Sequence, residues 1–556
     1  MRIKSLLFII SICFCFVFTG CDILNVLFDG SGTTEDSFTT VTVKSKRDVE
    51  TYYVKLNMSQ KTLKANQTGY ARSADIPEEN QNNDTESFVR NLNRQINEGV
   101  KADVEYNANR SATNNDPIVE AYNNIAYKKG QTNIKYWSFI DCYYDDNGQQ
   151  IGISGQTNNI CKYAGTHCYV LADTKNANLS SKGINLSDSD YEKLGEKFDS
   201  CFEREIAING NPFYEKYHKT YFVPCNDKIV ILVSDLFGDA SDAQDRGVVG
   251  YFYQGDIYNQ TFLDQNNASF GEVHSNECEM FYIDALFLTK RPDTTYSTLL
   301  HEFNHMINYI FKTVNYMTKN KKATKFQVCD TWFTEMLSMT TEDMFQGVLD
   351  IEDEDSPKGR LPYFNYYYNY GFKLWDNPNV SNDIMYANTY AFGAFLVRNF
   401  GGIALLKQMC QNDYVNEKAI NEALKVLYPS TTSEEQIDFE YAIRKFSLCL
   451  FNTDKPTAEQ LLETGEEQYF SFNRATDKNR SDGLTFTAID IMNIECNVQN
   501  EDGTITRQKI QPNIYTKDRA VDLGPTGFSV HYVGRVSSFE LYANKNEELE
   551  YYLITR

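Results

Sequence analysis

Apolar positions recur every three or four residues through TYSTLLHEFNHMINYIFKTV, residues 295–314. Leu299, Phe303, Met306 and Ile310 make the stripe, and Leu300, Ile307, Phe311 and Val314 widen it, which predicts a buried helix over about 296–317. Thr295 or Ser297, after Pro292, supplies its start. The same spacing returns in DTWFTEMLSMTTEDMF (330–345), through Trp332, Met336 and Met339 with Phe333, Leu337 and Met344. Residues 187–206 read as a capped helix with Leu194, Phe198, Cys201 and Phe202 inward, and the run 385–409 as an amphipathic helix that ends at Gly401-Gly402. Strand patterns precede the first of these buried helices. Residues 134–154 read as a hairpin turning at Asp146-Asn147-Gly148, and 162–173 as a further strand. The unbroken apolar run KIVILVSD (228–235) reads as a buried strand. CEMFYID (278–284) reads either as an edge strand, along which an extended peptide pairs, or as an internal one.

Around this middle the pattern changes. Residues 22–130 mix β-rich runs such as TTVTVKSKRDVETYYVKLNMS with a polar stretch, 64–87, that reads as a solvated linker, and nothing in them suggests chemistry. Residues 411–455 look helical, and beyond 456 short alternating runs such as LTFTAIDIMN and FSVHYVG predict a β-rich end. The fold class expected is α+β. A catalytic unit over 131–455 lies between a tether with β-structure (22–130) and a β-rich C-terminal domain (456–556), and 556 residues allow this division.

Residues 1–21 carry Arg2 and Lys4, a short apolar run and small residues before a cysteine, the pattern of a secretory signal rather than a membrane span. Their FTGC ending resembles a bacterial lipoprotein signal, in which Cys21 becomes the lipidated first residue; Phe18 departs from the usual Leu. The chain is thus expected to be exported and held in the cell envelope by a lipid on Cys21. A net charge of −23 with no basic run argues against a nucleic-acid partner. Of thirteen cysteines, ten remain once Cys13, Cys15 and Cys21 are set aside, and Cys161–Cys168 is the pair close enough to test as a disulfide. No CxxC spacing offers a thiolate metal site.

The chemistry concentrates in His301-Glu302-Phe303-Asn304-His305. Histidines four apart stand one turn above the other on one helix face, so one zinc ion can take both, while Glu302 is beside the metal as a general base for water. Burying two imidazoles and a carboxylate in an apolar helix is costly unless they are paired, and a metal pairs them. Glu335, thirty residues after His305 on the second helix, completes a His2Glu ligand set. Glu342, two turns on, is a candidate acceptor that orients one histidine, against the competing reading of a solvated helix charge. The loop DLFGDASDAQDR carries Asp235, Asp239, Asp242 and Asp245; its spacing is not that of an EF-hand, and a solvated acidic loop competes with a calcium site.

HEFNHMIN followed by WFTEMLSM resembles the hyicolysin-like, M30-type zinc metallopeptidases. The likeness extends through 228–239, 247–258, 275–285 and 386–402, and so covers roughly 160–405. It implies His301, His305 and Glu335 as ligands, Glu302 as catalytic base, and a zincin-type domain: a mixed sheet, the active-site helix, then a helical lower half. Asn308 and Phe311 stand where a metzincin would have Gly and His, which excludes that class. In related zinc peptidases a phenol often stabilises the oxyanion, and Tyr386 or Tyr390 is the candidate, against core packing in a chain with 38 tyrosines; His531 is a distant alternative. The expected function is an exported, membrane-anchored zinc metalloendopeptidase acting on proteins or peptides. The rival reading is a lipid-anchored surface binding protein, an adhesin that keeps the zincin fold with little turnover.

Overall fold

The computed structural model describes residues 22–26, 38–63, 85–109, 118–120, 125–144, 150–241, 247–266, 273–319, 326–377, 379–429, 436–451, 470–499, 505–544 and 549–555. Cys21 and the signal segment, the linker 64–84, the turn 145–149, and Asp242 and Asp245 lie outside these residues.

In chain order, strands β1 (Asp22–Val26) and β2 (Phe38–Asn57) lead to helix α1 (Thr85–Asn109). Then come β3 (Ile134–Tyr144), β4 (Gln150–Ala164), β5 (Cys168–Asp173), α2 (Asp188–Asn209), β6 (Ile229–Ser234), β7 (Gly250–Tyr251) and β8 (Met280–Asp284). Helices α3 (Pro292–Tyr309), α4 (Thr331–Leu349), α5 (Asn382–Asn399), α6 (Gly402–Gln411), α7 (Asn416–Leu427) and α8 (Phe439–Ser447) follow. Strands β9 (Tyr515–Thr516), β10 (Phe528–Asn544) and β11 (Leu549–Thr555) close the chain. This is a mixed α+β architecture.

Six strands form the central sheet in the order β3-β4-β5-β6-β8-β7. β3, β4 and β5 are antiparallel neighbours; β5, β6 and β8 run parallel; β7 returns antiparallel at the edge, with Tyr282 opposite Tyr251. Every residue of β5, β6 and β8 is buried, which is why these strands are near-continuous apolar runs. β8 is therefore internal, and β7 is the edge strand that CEMFYID was one candidate to be. Cys161 stands opposite Leu171 in the β4–β5 pairing and makes no disulfide with Cys168; none of the ten described cysteines is in a disulfide.

The parallel step from β5 to β6 is made by α2, held at its start by a capping box between Ser187 and Asp190, with Leu194, Phe198, Cys201 and Phe202 turned into the core. Asp284, at the end of β8, accepts hydrogen bonds from the Leu286 and Phe287 N–H groups and so starts a short helix (Ala285–Lys290) that delivers the chain to α3. α3 begins four residues earlier than the apolar pattern implied, because Pro292 fits a first helical turn. It ends as an α-helix at Tyr309 and continues as a π turn, Ile310–Val314, that turns Lys312 inward to donate to the Met409 and Asn412 carbonyls. α3 packs between α2 and α4, close to β7 and β8.

The flanks join the rest of the chain in ways that the sequence pattern did not name. Strands from the two ends of the chain share one five-stranded sheet, β1-β11-β2-β10-β9, in which β2 lies between β10 and β11, while Ile494–Gln499 and Ile505–Ile510 pair as a separate antiparallel hairpin. LTFTAIDIMN pairs only through an isolated bridge from Phe486 to Thr476 and ends in a 3-10 turn at Ile491–Asn493, its Leu484, Phe486, Ile489 and Ile491 being buried instead against the helical half. Helix α1 lies within the region read from the sequence as a tether with β-structure. Val89, Leu92, Ile96, Val100 and Val104 are spaced three and four apart and are buried in the same core as Phe198 and Phe303.

Candidate metal centre

The i, i+4 geometry of α3 sets His301 and His305 on one face, with their Nε2 atoms 2.9 Å apart. From α4, Glu335 brings Oε2 to 3.2 Å from His301 Nε2 and 3.6 Å from His305 Nε2. The outer nitrogens are occupied. His301 Nδ1 is 2.7 Å from Glu342 Oε1, a carboxylate that only accepts, so the proton of that imidazole sits on Nδ1. Ser297 Oγ donates to the other oxygen of Glu342 at 2.6 Å. His305 Nδ1 is 2.9 Å from Thr334 Oγ1 and 3.3 Å from Ser338 Oγ.

The Nε2 atoms of His301 and His305 and a buried Glu335 oxygen without a hydrogen bond thus face one point. Their separations bracket the ~3.3 Å expected between two ligands of one tetrahedral zinc. Three acceptors this close need a positive charge among them. In the protein alone a proton answers that need: burial pulls His301 down, but Glu342, and then Glu335, outweigh it and hold its pKa well above its ordinary value. Burial lowers the pKa of His305. Burial opposes ionisation of Glu335 too, yet His305 and His301 outweigh it and pull that carboxyl below the usual range. A divalent cation fits the same point and would displace the proton.

Glu302, one residue from His301 and almost wholly buried, lines the cleft of about 800 Å³ onto which this cluster opens. The edge strand contributes Gly250 and Tyr251 to the wall, α1 contributes Arg90 and Arg94, and Tyr386 of α5 lies in the wall beyond.

The Peptidase M30 profile matches residues 172–449, half of the chain, and those residues contain α3, α4 and α5. The chain belongs to the Peptidase M30 family. By direct comparison, a neutral metalloprotease of Staphylococcus hyicus, ShpI, is 26% identical over 288 residues, 49% of this chain and 57% of that protein, so the chain spans little more than half the length of the curated relative it matches. A solved aminopeptidase N family protein from Idiomarina loihiensis covers 75% of this chain and 74% of its own at 9% identity, with a TM-score of 0.27, too low to carry an argument.

Within this M30 chain the two candidate tyrosines part. Tyr386 lines the cleft and accepts a hydrogen bond from Arg90 Nη1 at 2.8 Å. Tyr390, one turn on, is fully buried beside Asp343 and Arg398, because α5 by then runs beneath α4. His531 is buried in the terminal sheet, stacked on Tyr53 and bonded to Ser529 and Thr516. Asp235 and Asp239 join Asp284 in a second acidic group. Asp284 there already accepts three backbone N–H bonds, and Lys182 Nζ stands 3.5 Å from Asp235. Burial, then Asp235, pushes the Asp239 carboxyl up to about 6. Sequence reasoning missed Thr334, Ser338 and all of α1. The apolar spacing of Val89, Leu92 and Ile96 was the available signal for α1.

Proposed function

We propose that the protein is a zinc-dependent endopeptidase of zincin type, with His301, His305 and Glu335 as metal ligands and Glu302 as general base. The observation that carries this reading is the convergence of His301 Nε2, His305 Nε2 and one Glu335 carboxylate oxygen on a single point beside a cleft. Membership of a peptidase family and likeness to a metalloprotease support the same chemistry.

A zinc ion held there supplies, when bound, Lewis-acid polarisation of the scissile carbonyl and a more acidic water. The protein's own groups do the rest. Glu302 takes a proton from the attacking water and returns it to the leaving amine. Glu342 and Thr334 keep the two imidazoles turned so that their Nε2 atoms face inward. The edge strand β7 presents backbone groups to an extended peptide. Tyr386 donates its hydroxyl to the carbonyl oxygen as charge develops there.

Casein hydrolysis by the purified full chain, run beside Glu302→Ala with metal quantified in both, tests the proposal. Activity in the first alone, at one zinc each, is expected; activity retained by Glu302→Ala removes Glu302 as base. Zinc without turnover in either favours the binding-protein reading. We also propose, from the sequence, export and lipid attachment at Cys21; incorporation of labelled palmitate, abolished by Cys21→Ser, is the check.

A further inference from the structure

The sheet edge that lines the cleft is short. β7 is two residues long, with Gly250 opposite Ile283 and Tyr251 opposite Tyr282 of β8. The Asp284 N–H donates to the Val249 carbonyl at 2.9 Å, so Val249 turns its backbone groups toward β8. Successive residues of a paired strand alternate, so Tyr251 also faces β8, while Gly250 and Phe252 face the side on which a next strand would lie. Gly250 is pressed against α3: a β-carbon there would stand 3.0 Å from Thr298 Cγ2 and 2.7 Å from the Tyr282 carbonyl oxygen. Thr298 is four residues before Glu302, on the same face of α3 and about 6 Å away along the helix axis. Gly250, His301, Glu302 and Glu335 line one cleft. The outward N–H and C=O of Gly250 thus belong to a sheet edge about one helical turn from the candidate general base.

Phe252 and Gln254 already have a partner on that side. Asn93 of α1, outside the residues matched by the family profile, donates from Nδ2 to the Phe252 carbonyl at 3.3 Å and accepts at Oδ1 from the Gln254 N–H at 3.1 Å. Both partners are backbone groups of fixed polarity, which leaves the carboxamide one orientation. A carbonyl and the N–H two residues on are the pair that a parallel neighbouring strand would take, and an antiparallel one would need the Phe252 carbonyl too. The carboxamide therefore stands where the next peptide unit of a paired chain would be.

Asn93 is buried, and the helix that carries it is anchored by the buried side chains of Val89, Leu92 and Ile96. Asn97, one turn on, donates from Nδ2 to Gln254 Oε1 at 2.9 Å and accepts at Oδ1 from Tyr258 Oη at 3.3 Å. A two-residue strand has few bonds of its own to β8, and a further strand cannot steady it if its outer side is to receive a peptide. Asn93 supplies the restraint just beyond Tyr251, from a helix, and takes neither backbone group of Gly250.

We infer that Asn93 is a positioning residue for substrate: it holds the end of the edge strand so that Gly250 pairs with the backbone of an extended peptide, and it stops that pairing at Phe252. The inference rests on the peptidase reading above. It gives α1 a part in substrate binding that acts through the strand and not through the metal.

The test is a cycle between protein and substrate on the full chain. The substrate is a fluorogenic peptide spanning a casein bond that the protein cleaves, together with versions in which one amide at a time, the scissile one excepted, is replaced by an ester that lacks the N–H. kcat and KM are measured for the wild type and Asn93→Ala, with zinc content and melting temperature alongside. In the wild type one replacement is expected to raise KM about two- to tenfold, the worth of one hydrogen bond. Asn93→Ala should raise KM for the unmodified peptide about five- to a hundredfold, the worth of two such bonds, with kcat and zinc content unchanged. In that variant the ester penalty should vanish, because the bond it removes is no longer made. A penalty of equal size in both proteins, an unchanged KM in Asn93→Ala, or a loss carried by kcat or zinc content would each overturn the inference. So would a wild type with no sensitive amide, or two amides two residues apart that both lose their penalty in the variant, since pairing would then run beyond Gly250. If Asn93→Ala fails to fold, Asn93→Ser, whose hydroxyl can serve one of the two backbone groups, gives the same comparison. A wild-type chain that binds zinc and cleaves no peptide would fail before any variant is compared, which removes the peptidase reading and this inference with it.

Discussion

Glutamine in place of Glu342 should weaken metal binding about tenfold while leaving the fold intact. Glu342 Oε1 is 2.7 Å from His301 Nδ1, and Oε2 accepts from Ser297 Oγ at 2.6 Å. Glutamine keeps the shape and one carbonyl acceptor for the imidazole, but the bond is no longer charge-assisted. Such a bond is worth about 1.5–3 kcal/mol against about 0.5–1.5 kcal/mol for a neutral one. The difference of about 1–1.5 kcal/mol is about five- to thirteenfold in affinity. Alanine removes the whole bond and strands the Ser297 hydroxyl, so the loss should reach about a hundredfold, the upper end for groups that orient metal-bound histidines. The assay is competition for zinc against a chelating dye of known affinity at neutral pH, with the melting temperature measured across a zinc titration. Each tenfold loss of affinity should remove about 1.4 kcal/mol of zinc-dependent stabilisation at saturating metal. Wild-type affinity in Glu342→Ala would refute the reasoning, since it would mean that the orientation of His301 does not depend on this carboxylate.

Two further predictions concern stability. Arg398 and Asp343 form a wholly buried pair at 2.7 and 3.1 Å, and Asp343→Ala should cost about 3–5 kcal/mol by leaving the guanidinium uncompensated, seen as a lower urea midpoint. His531 is neutral in the folded protein, donating from Nδ1 to the Thr516 carbonyl and accepting from Ser529, and burial, helped by Lys55, depresses its pKa from 6.5 to about 3. Between those values the unfolded chain holds the extra proton, so stability is present above about pH 6.5 and falls as pH drops through the window, by up to about 1.4 kcal/mol per unit. His531→Gln should flatten that part of the pH dependence of the unfolding free energy. An equal slope in the variant would show that other groups account for the acid sensitivity.

The sequence by itself determined whatever is encoded in local spacing. His301 and His305 four apart, and the apolar stripe behind them, define a buried helix with two imidazoles on one face before any fold is known. The continuous apolar run at 228–235 likewise predicts a strand covered on both sides, as β6 is. Glu335 could be named as a candidate from the sequence because it falls in a second periodic helix at a distance that a connecting loop can span. The tertiary structure decided the rest, because helical and strand periods say which face is apolar but not what will cover it. Tyr386 and Tyr390 share a spacing, yet one meets the cleft and the other meets Arg398, since α5 passes from the cleft into the core within a turn. Glu342 is indistinguishable in sequence from a solvated helix charge until α4 lies against α3 and its carboxylate meets His301. β2 pairs with strands about five hundred residues away, as Phe38 opposite Asn544 illustrates, and no alternation pattern names a partner. α1 reaches the cleft only because its apolar side finds the same core as α3, which brings Arg90 to Tyr386 across 296 residues of chain.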